Sequence, residues 1–326
     1  SVGAGLAQQG NKIINCTAYN NTEYGFYLNA DNLTIINSSS FNNNNNTGYR
    51  SNYVIESGTN ISRISQNNYC NSSDLFILPG DIPGVLLEDI YSCGGYLSGV
   101  NHTTFRNITA RDSYQGLQLF NSHNNLFDDV ESYSSFESAF YMDSSDNNTF
   151  YNCTARDSET GIYIGDSDRN TIAECTIENN TGLFYQSAGI WISGEGGTSD
   201  NNNITGCSIN FNTDGILTDY SQNITISNNL FWNNSKEAIY VGTSSKYNKI
   251  ISNVFILNDV FLGVDYSSAF GQEVYDNFFY ITDYSGGWFG QVGDTDAEWN
   301  DTDGGNYYAS PSGTGYSETC VDNTTP

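Results

Sequence analysis

Short apolar blocks recur along the chain, each opening with Gly or Ala and carrying apolar residues at alternate positions. Examples are Gly116–Leu119, Gly161–Ile164 and Gly189–Ile192. Alternation with a period of two is typical of a strand with one buried face. Because the blocks return after roughly 22–28 residues, the length of one solenoid coil, the pattern predicts an all-β, right-handed parallel β-helix. We expect roughly ten or eleven stacked coils.

A second landmark keeps the same phase. An asparagine precedes a strand in most coils, as Asn148 precedes the run from Thr149 to Thr154. Asparagine tolerates the left-handed backbone of a sharp turn, and stacked amides can form a hydrogen-bonded ladder. We therefore predict a structural ladder formed by Asn11, Asn32, Asn60, Asn125, Asn148, Asn170, Asn202, Asn223 and Asn248.

Cysteine placement follows the same period. Cys70 and Cys93 are separated by about one coil and form a possible disulfide, whereas Cys320 lies in the tail and could bond another subunit, since the count of seven is odd. The remaining four each follow a landmark asparagine by five residues. We expect them to be stacked, buried thiols, with disulfides between coils as the alternative; they are Cys16, Cys153, Cys175 and Cys207.

The repeat divides the chain into a β-helix over residues 1–275, with irregular coils around 42–100, and a tail over 276–326. The tail is rich in aromatic residues, Gly and Asp. We expect it to cap the solenoid or to form an interface, because aromatic side chains with few charges are typical of interface cores. Its aromatic residues are Phe278, Phe279, Tyr280, Trp288, Phe289 and Trp299.

The charge balance excludes two classes of partner. The chain carries 37 acidic and 10 basic residues, for a net charge of −27. Such a surface repels nucleic acid and anionic membranes. The longest apolar stretches have the length of strands, so no membrane span is predicted.

Residues that could support catalysis do not form a recognisable set. Asn212-Thr-Asp214 resembles a polygalacturonase motif, but the other motifs of that family are missing, and Asp214 is expected to be a turn residue. His102 and His123 lack the spacing of zinc ligands. Acidic pairs at turns could bind calcium but are expected to be solvated; they are Asp128 with Asp129, Asp143 with Asp146, and Asp166 with Asp168. We therefore predict a protein that is not an enzyme, without catalytic residues, metal or cofactor.

Many Asn-x-Ser/Thr sequences indicate N-glycosylation, and hence an extracellular or cell-surface location. Candidates that lie away from the predicted ladder are expected to carry the covalent glycans. They are Asn20, Asn45, Asn71, Asn101, Asn179 and Asn233.

The repeats resemble a known group. Asn170–Ile177 followed by Gly189–Ile192 is similar to the repeats of NosD-type, carbohydrate-binding and sugar-hydrolysis domains. The segment Gly304–Cys320 resembles the one that closes the repeat domain in large surface proteins of methanogenic archaea, although Tyr308 stands where that family has Trp. The resemblance implies an archaeal cell-envelope, S-layer-like or sheath protein.

These observations lead to one main function and two alternatives. We expect a structural protein that assembles with itself into an extracellular sheath, S-layer or filament through strand edges and the aromatic tail. An adhesin module of a larger protein is one alternative. The other is a monomeric carbohydrate-binding or polysaccharide-processing β-helix, in which outward aromatic residues stack on sugars rather than only on one another; they are Tyr27, Tyr141, Tyr163, Trp191 and Tyr240.

Overall fold

The predicted fold class is confirmed. The computed structural model describes residues 12–21, 24–28, 33–41, 51–55, 61–65, 75–79, 86–182, 187–265, 269–280, 288–292, 300–301 and 304–309. Over these residues the chain is an all-β, right-handed parallel β-helix of about nine turns, compared with the ten or eleven predicted. Within the same ranges, no helix is long and apolar enough to cross a membrane.

The first of two compact units spans Ser1–Ser158. Its strands are β1 Lys12–Ile14, β2 Thr17–Tyr19, β3 Tyr24–Leu28, β4 Leu33–Ile36, β5 Ser39–Phe41, β6 Ser51–Ile55, β7 Ile61–Ser65, β8 Leu75–Pro79, β9 Leu86–Ser92, β10 Gly95–Ser98, β11 Thr104–Arg111, β12 Leu117–Phe120, β13 Leu126–Tyr133, β14 Ser138–Asp143, β15 Thr149–Tyr151 and β16 Thr154–Arg156.

The second unit spans Glu159–Pro326. Its strands are β17 Thr160–Gly165, β18 Thr171–Ala173, β19 Thr176–Glu178, β20 Ala188–Ser193, β21 Asn203–Thr205, β22 Ser208–Asn210, β23 Asp214–Asp219, β24 Thr225–Ser227, β25 Leu230–Trp232, β26 Glu237–Val241, β27 Lys249–Ile251, β28 Val254–Ile256, β29 Val260–Val264, β30 Glu273–Tyr275, β31 Phe278–Tyr280, β32 Trp288–Val292, β33 Asn300–Asp301, β34 Gly304–Gly305 and β35 Tyr307–Ala309.

Each unit contains two parallel sheets. The block sheet carries most of the Gly/Ala blocks; in the second unit its order is β17-β20-β23-β26-β29-β32, and in the first it is β3-β6-β8-β10-β12-β14. The bent sheet carries the remaining long ladders, such as β21-β24-β27-β30 and β22-β25-β28-β31-β35. In the first unit, register shifts interrupt the pairing of β4 with β7 and of β6 with β8.

The glycine that opens most blocks is required by the stacking of coils. A Cβ atom on Gly189 would lie 2.7 Å from the carbonyl oxygen of Gly215 on the next coil and 2.9 Å from the Asn212 side-chain nitrogen. No real side chain tolerates such contacts, so the recurring glycine records a close approach of backbone between coils.

Stacked phenylalanine rings fill the core of each unit. In the first unit Phe127 stacks between Phe105 and Phe150, with ring centroids 4.6 and 4.5 Å apart. In the second unit Phe255 stacks between Phe231 and Phe279, at 4.9 and 4.7 Å. These distances match the spacing of hydrogen-bonded strands, so each coil adds one ring to a continuous apolar column.

The predicted end of the repeat at residue 275 is wrong. Strand β31 pairs in register with β28, and β35 pairs with β31, so the parallel ladder continues to Ala309. Phe279, assigned from the sequence to a capping tail, is fully buried in the core. The sequence interpretation failed because the next strand of the block sheet, β32, opens with Trp288 and not with the Gly or Ala that marks the earlier blocks.

An asparagine ladder is present at the coil corner that precedes the bent sheet. In the first unit the backbone N–H and side-chain Nδ2 of Asn125 both donate to Oδ1 of Asn148, at 3.0 Å each. In the second unit the backbone N–H of Asn170 donates to Oδ1 of Asn202 at 2.8 Å, and that of Ile224 donates to Oδ1 of Asn248 at 2.9 Å. Side-chain amides thus replace sheet pairing where the backbone turns.

Asn223 does not belong to this ladder, because Ile224 occupies the ladder position. Asn223 has φ 55°, and the residues before the ladder asparagines, such as Asn124 and Asn147, also have positive φ. The left-handed residue and the ladder residue are therefore consecutive, whereas the sequence interpretation assigned both roles to one asparagine. Three predicted members lie outside the described residues: Asn11, Asn32 and Asn60.

Two further ladders in the second unit were not predicted. The backbone N–H of Asn212 donates to Oδ1 of Asn234 at 3.0 Å, and that of Asn229 donates to Oδ1 of Asn253 at 2.9 Å. Each ladder repeats this bond from coil to coil. The first consists of Asn180, Asn212, Asn234 and Asn258, and the second of Asn229, Asn253, Asn277 and Asn306.

In the coils before Asn229, buried cysteines occupy the corner position that asparagine holds in the Asn229 ladder. The backbone N–H of Cys207 donates to Oδ1 of Asn229 at 2.8 Å, so the thiol stands where the next coil has an amide. Burial and the neighbouring Cys175 raise the pKa of the Cys207 thiol, with the hydrogen bond to Cys175 as the largest cause. Cys153 is likewise a buried thiol, whereas Cys16 is an exposed thiol and not the buried one predicted.

The disulfide predicted for Cys93 is only partly described. Cys93 is disulfide-bonded, and its partner is not among the described residues. Cys70 and Cys320 lie outside those residues, so the pairing of Cys70 with Cys93 and an intermolecular role for Cys320 stay predictions.

Replacing a ladder asparagine should destabilise the second unit. In Asn234→Ala the buried N–H and Nδ2 of Asn212 lose their acceptor, at 3.0 and 3.2 Å, and a buried donor without a partner costs about 1–3 kcal/mol. We expect a lower urea midpoint for unfolding. The control is Asn203→Ala on the outward side of β21, which should shift the midpoint far less; equal shifts would contradict a special role for the ladder.

Candidate functional site

Five side chains on the block sheet of the second unit form a group that we call the Tyr240 cluster: Asp214, Asp219, Glu237, Tyr240 and Asp265. Strand β23 has an aspartate at each end, β26 carries Glu237 and Tyr240, and Asp265 directly follows β29. The three strands pair in register and are parallel. Neighbouring strands lie about 4.8 Å apart, so side chains at the same end of these strands meet across successive coils.

Buried Asp214 and half-buried Glu237 form a carboxyl pair. The backbone N–H of Glu237 donates to Oδ1 of Asp214 at 3.2 Å, and the Asp214 side chain is only 8% exposed. Burial raises the pKa of Asp214 to about 7, with a hydrogen bond to the Glu237 side chain and its negative charge adding to the shift. Nζ of Lys236, 3.9 Å from Oδ2 of Asp214, offsets the rise only in part. The pair can therefore hold a proton near neutral pH.

A second acidic pair lies at the other end of these strands. The backbone N–H of Thr243 donates to Oδ1 of Asp219 at 3.0 Å, and its hydroxyl donates to Oδ2 of Asp265 at 3.2 Å. Burial raises the pKa of Asp219, and the charges of Asp265 and Glu195 raise it further. The indole nitrogen of Trp191 has no hydrogen bond of ordinary geometry, but it lies near enough to Asp219 to favour the ionised carboxylate.

Tyr240 lies between the two acidic pairs. Burial raises the pKa of its hydroxyl, and the charges of Asp265, Asp219, Glu237 and Asp214 all raise it further. Its ring lies over Gly263, where an added Cβ would come within 2.8 Å of the ring and 3.2 Å of the Glu237 side chain. Glycine at that position therefore leaves room for Tyr240, which stays a neutral hydrogen-bond donor among carboxylates.

The predicted row of sugar-stacking aromatic residues is not continuous. Tyr163 and Trp191 make an edge-on contact with ring centroids 4.9 Å apart, but Leu217 separates Trp191 from Tyr240 in the register. In the first unit Tyr27 pairs with Val54 and Tyr141 with Gln118. On the block sheet of the second unit, the predicted row is thus reduced to the Tyr163–Trp191 contact and the separate Tyr240.

Asp214 was wrongly predicted to be a turn residue. It begins β23 and is buried. The motif that contains it also gives Asn212, which belongs to a ladder rather than to a site. Sequence reasoning missed Glu237, the partner of Asp214. Its only signal in the sequence is its position: Glu237 lies two residues before Ile239, as Asp214 lies two residues before Ile216, and the two isoleucines pair in register.

The other acidic and histidine candidates have structural partners. Asp128 forms an ion pair with Arg106 at 2.9 Å, and Oδ1 of Asp168 accepts the backbone N–H of Asp200 at 2.8 Å. Nδ1 of His123 accepts the backbone N–H of Asp146 at 2.9 Å. Asp129 and His102 have positive φ and lie at turns. Asp143 accepts a hydrogen bond from the Ser144 hydroxyl, and Asp166 accepts one from the backbone N–H of Gly196. In the described part of the chain, no group of three or more such residues is arranged to hold a metal ion.

Basic side chains gather on the bent sheet of the first unit. Arg156 lies over the ring of Tyr133 at 4.1 Å and donates to Oε1 of Glu131 at 2.8 Å. Arg111 lies over the ring of Tyr91 at 4.8 Å. Since these guanidinium groups are already engaged by rings and carboxylates, the arrangement stabilises the sheet face and offers little charge to an anionic ligand.

The predicted glycosylation positions differ in accessibility. Asn20, Asn179 and Asn233 are exposed. Asn101 is half-buried, and its Oδ1 accepts the backbone N–H of His123 at 2.8 Å, which makes it a poor acceptor for a glycan. Asn45 and Asn71 lie outside the described residues.

A comparison with protein families identifies the repeats. The family model for a right-handed β-helix region matches residues 93–255, half of the chain, and the chain belongs to this family. No curated protein matches the sequence. The resemblance to NosD-type repeats and to archaeal surface proteins is not shown by these comparisons.

Solved structures share the fold at low sequence identity. A double mutant of the periplasmic alginate epimerase AlgG has a TM-score of 0.57 at 14% identity, covering 83% of this chain and 73% of the epimerase. AlgG itself gives 0.54 at 14% identity, covering 92% and 74%. An alginate lyase from Paenibacillus sp. str. FPU-7 gives 0.44 at 13% identity, covering 91% and 97%, a score too low to carry an argument. At this identity the likeness shows the fold alone.

The prediction that the chain is not an enzyme is contradicted by this comparison. Solved proteins with the same fold include alginate epimerases, so the lack of a familiar motif is no ground for excluding catalysis. At 14% identity this likeness shows the fold and assigns no activity to the chain. The structural sheath role gains no support from these comparisons.

The carboxyl pair should make stability depend on pH. A carboxyl group whose pKa is raised on folding binds its proton more tightly in the folded state, so stability falls as pH rises from about 4, its unfolded pKa, to about 7. In Asp214→Asn no carboxyl group ionises at this position, so the variant does not lose stability in this way as pH rises. Relative to the parent, the variant should therefore gain thermal stability between about pH 4 and pH 8. The exposed Asp259→Asn is the control; a parent–variant difference that is constant with pH would contradict the raised pKa.

Proposed function

We propose that this member of the right-handed β-helix family is a polysaccharide-processing protein that acts at the Tyr240 cluster. The observation that carries the proposal is Asp214, whose pKa is raised to about 7 beside Glu237. General acid catalysis works best when the pKa of the acid lies near the working pH. Perturbed carboxyl groups are also more frequent at functional sites than elsewhere.

The proposed reaction is hydrolysis of a glycosidic bond. Asp214 gives its proton to the leaving oxygen, and the water molecule that attacks the sugar carbon gives a proton to solvent water. Glu237 is hydrogen-bonded to Asp214 and so is too near to act as a second catalytic carboxylate, since the two carboxyl groups of glycosidases lie about 5–9.5 Å apart. Asp219 is too far for that role, because it lies five residues along β23, about 16 Å from Asp214.

The charge of the cluster supports an uncharged substrate. Four carboxyl groups act on Tyr240, and Lys236 is the cation paired with Asp214. Uronate polymers would be repelled by such a site. The proposed substrate therefore differs from the alginate on which the solved epimerases act, while the hydroxyl of Tyr240 and the carboxylates can bind sugar hydroxyl groups.

We further propose that the protein works outside the cell. The disulfide at Cys93 supports this location, because disulfides persist in oxidising compartments. Exposed Asn20, Asn179 and Asn233 would then be open to glycosylation.

The proposal predicts release of reducing ends from at least one neutral polysaccharide. In a panel of glucans, mannans and xylans, Asp214→Asn should lower kcat by about 10²–10⁴-fold, because an amide cannot supply the proton. The exposed Asp259→Asn should match the parent, and activity should fall above about pH 7 as Asp214 ionises.

Two results would overturn the proposal. One is the absence of activity on every neutral polymer, and the other is an active Asp214→Asn variant with an unchanged pH profile. A circular dichroism spectrum and melting temperature for each variant would show that loss of activity is not loss of fold.

A further inference from the structure

A second surface of the second unit has a different chemistry. The outward-facing positions of strands β25, β28, β31 and β35 carry apolar or aromatic residues. We call this set of residues the apolar strip. Pairing in register places them in two columns that cross successive coils. One column contains Leu230, Val254, Phe278 and Tyr307, and the other contains Trp232, Ile256 and Tyr280.

The strip is accessible. Leu230 is 36% exposed, Phe278 is 38% and Tyr307 is 57%. Trp232 is 39% exposed and meets Phe211, from the preceding coil, edge-on at 4.8 Å. In earlier coils the same columns hold Ser208 and Asn210, so the apolar character is confined to the later coils and is not a general property of this sheet face.

The strip carries no charged residue in a chain whose net charge is −27. A cationic or anionic partner would gain nothing from direct charge contacts there, so the chemistry of the strip favours an uncharged ligand. Large exposed apolar patches commonly mark interaction sites.

The strip is too small to form, by itself, a stable interface with a second copy of the chain. Four strands about 4.8 Å apart, with two outward residues each, present on the order of 200 Å². A stable protein–protein interface needs about 800 Å² from each partner. The strip is instead long and narrow, as suits a single extended chain of ligand.

We propose that the apolar strip binds one chain of an uncharged polysaccharide, with sugar faces stacked on Trp232 and Phe278. This binding surface is separate from the Tyr240 cluster, since it lies on the bent sheet and shares no residue with it. The inference therefore does not depend on the proposed hydrolysis.

Binding can be measured by native gel electrophoresis in gels that contain hydroxyethylcellulose, dextran or mannan, with polygalacturonate as the charged comparison. The protein carries Asp214→Asn throughout, so that no polymer is cut. At least one neutral polymer should retard it. Trp232→Ala should weaken the apparent affinity about tenfold, and Phe278→Ala should weaken it as well.

The matched control is Phe270→Ala. Phe270 is 36% exposed and meets Tyr247 edge-on at 5.3 Å, much as Trp232 meets Phe211, but it lies outside the strip. This variant should bind like the parent.

Several outcomes would overturn the inference: no retardation by any neutral polymer, retardation by polygalacturonate alone, equal losses in Trp232→Ala and Phe270→Ala, or a dimer that Trp232→Ala disperses. If neutral polymers retard the protein through Trp232 but the unmutated protein cuts no polysaccharide, binding by the apolar strip is supported and the proposed hydrolysis is contradicted. If the Asp214→Asn variant still cleaves polysaccharide, the proposed hydrolysis at the Tyr240 cluster is contradicted, and the binding proposal for the apolar strip is unaffected.

Discussion

The structure depends on one hydrogen bond, from a backbone N–H at a coil corner to a side-chain amide oxygen on the next coil. At corners the chain leaves the sheets, and its backbone groups would otherwise be buried without partners. The bond from Asn229 to Asn253, at 2.9 Å, solves this problem and is repeated at three corners of the second unit. Each bond also fixes the register of two coils, because the donor and acceptor must stand at equivalent positions.

Register determines what the outer surface can do. Leu217 pairs with Tyr240 because the coils are held in phase, and only that phase brings Asp214 beside Glu237. Insertions between corners are tolerated as loops, whereas a slip of one residue within a strand would exchange core and surface positions. The candidate site is therefore a consequence of the same bonds that close each corner.

The sequence predicted the fold because its signal is periodic. Alternating apolar residues and the phase of Asn125 and Asn148 are both visible in the chain. The ladder of Asn212 and Asn234 was missed, since Phe211 and Asn233 occupy the left-handed position before it and no single residue type marks that turn. An exposed phenylalanine with positive φ is a choice that local propensity does not predict.

The site was harder to predict than the fold, because its chemistry arises between coils. Nothing within ten residues of Asp214 raises its pKa except burial; the carboxyl partner Glu237 and the cation Lys236 come from the next coil. The tyrosine that links the two acidic pairs was noticed as an aromatic residue, but its place among four carboxyl groups was not. Motif searches fail here since no contiguous segment contains the group.

Outward-facing side chains stack in rows from coil to coil on this solenoid. In some rows the charges and hydrogen-bonding groups are paired with one another, and in others they are not; we take the paired rows as structural and the unpaired ones as candidates for ligand binding. Arg156, Tyr133 and Glu131 neutralise and cover each other, which leaves little for a ligand to do. Asp214 and Glu237 repel each other unless one holds a proton, and Oδ1 of Asn210 lacks any donor beside an exposed tryptophan. A repeat protein can remove such conflicts by changing one residue per coil, as the polar positions before β25 show. We infer that the conflict between Asp214 and Glu237 is relieved by a ligand and is not a demand of folding.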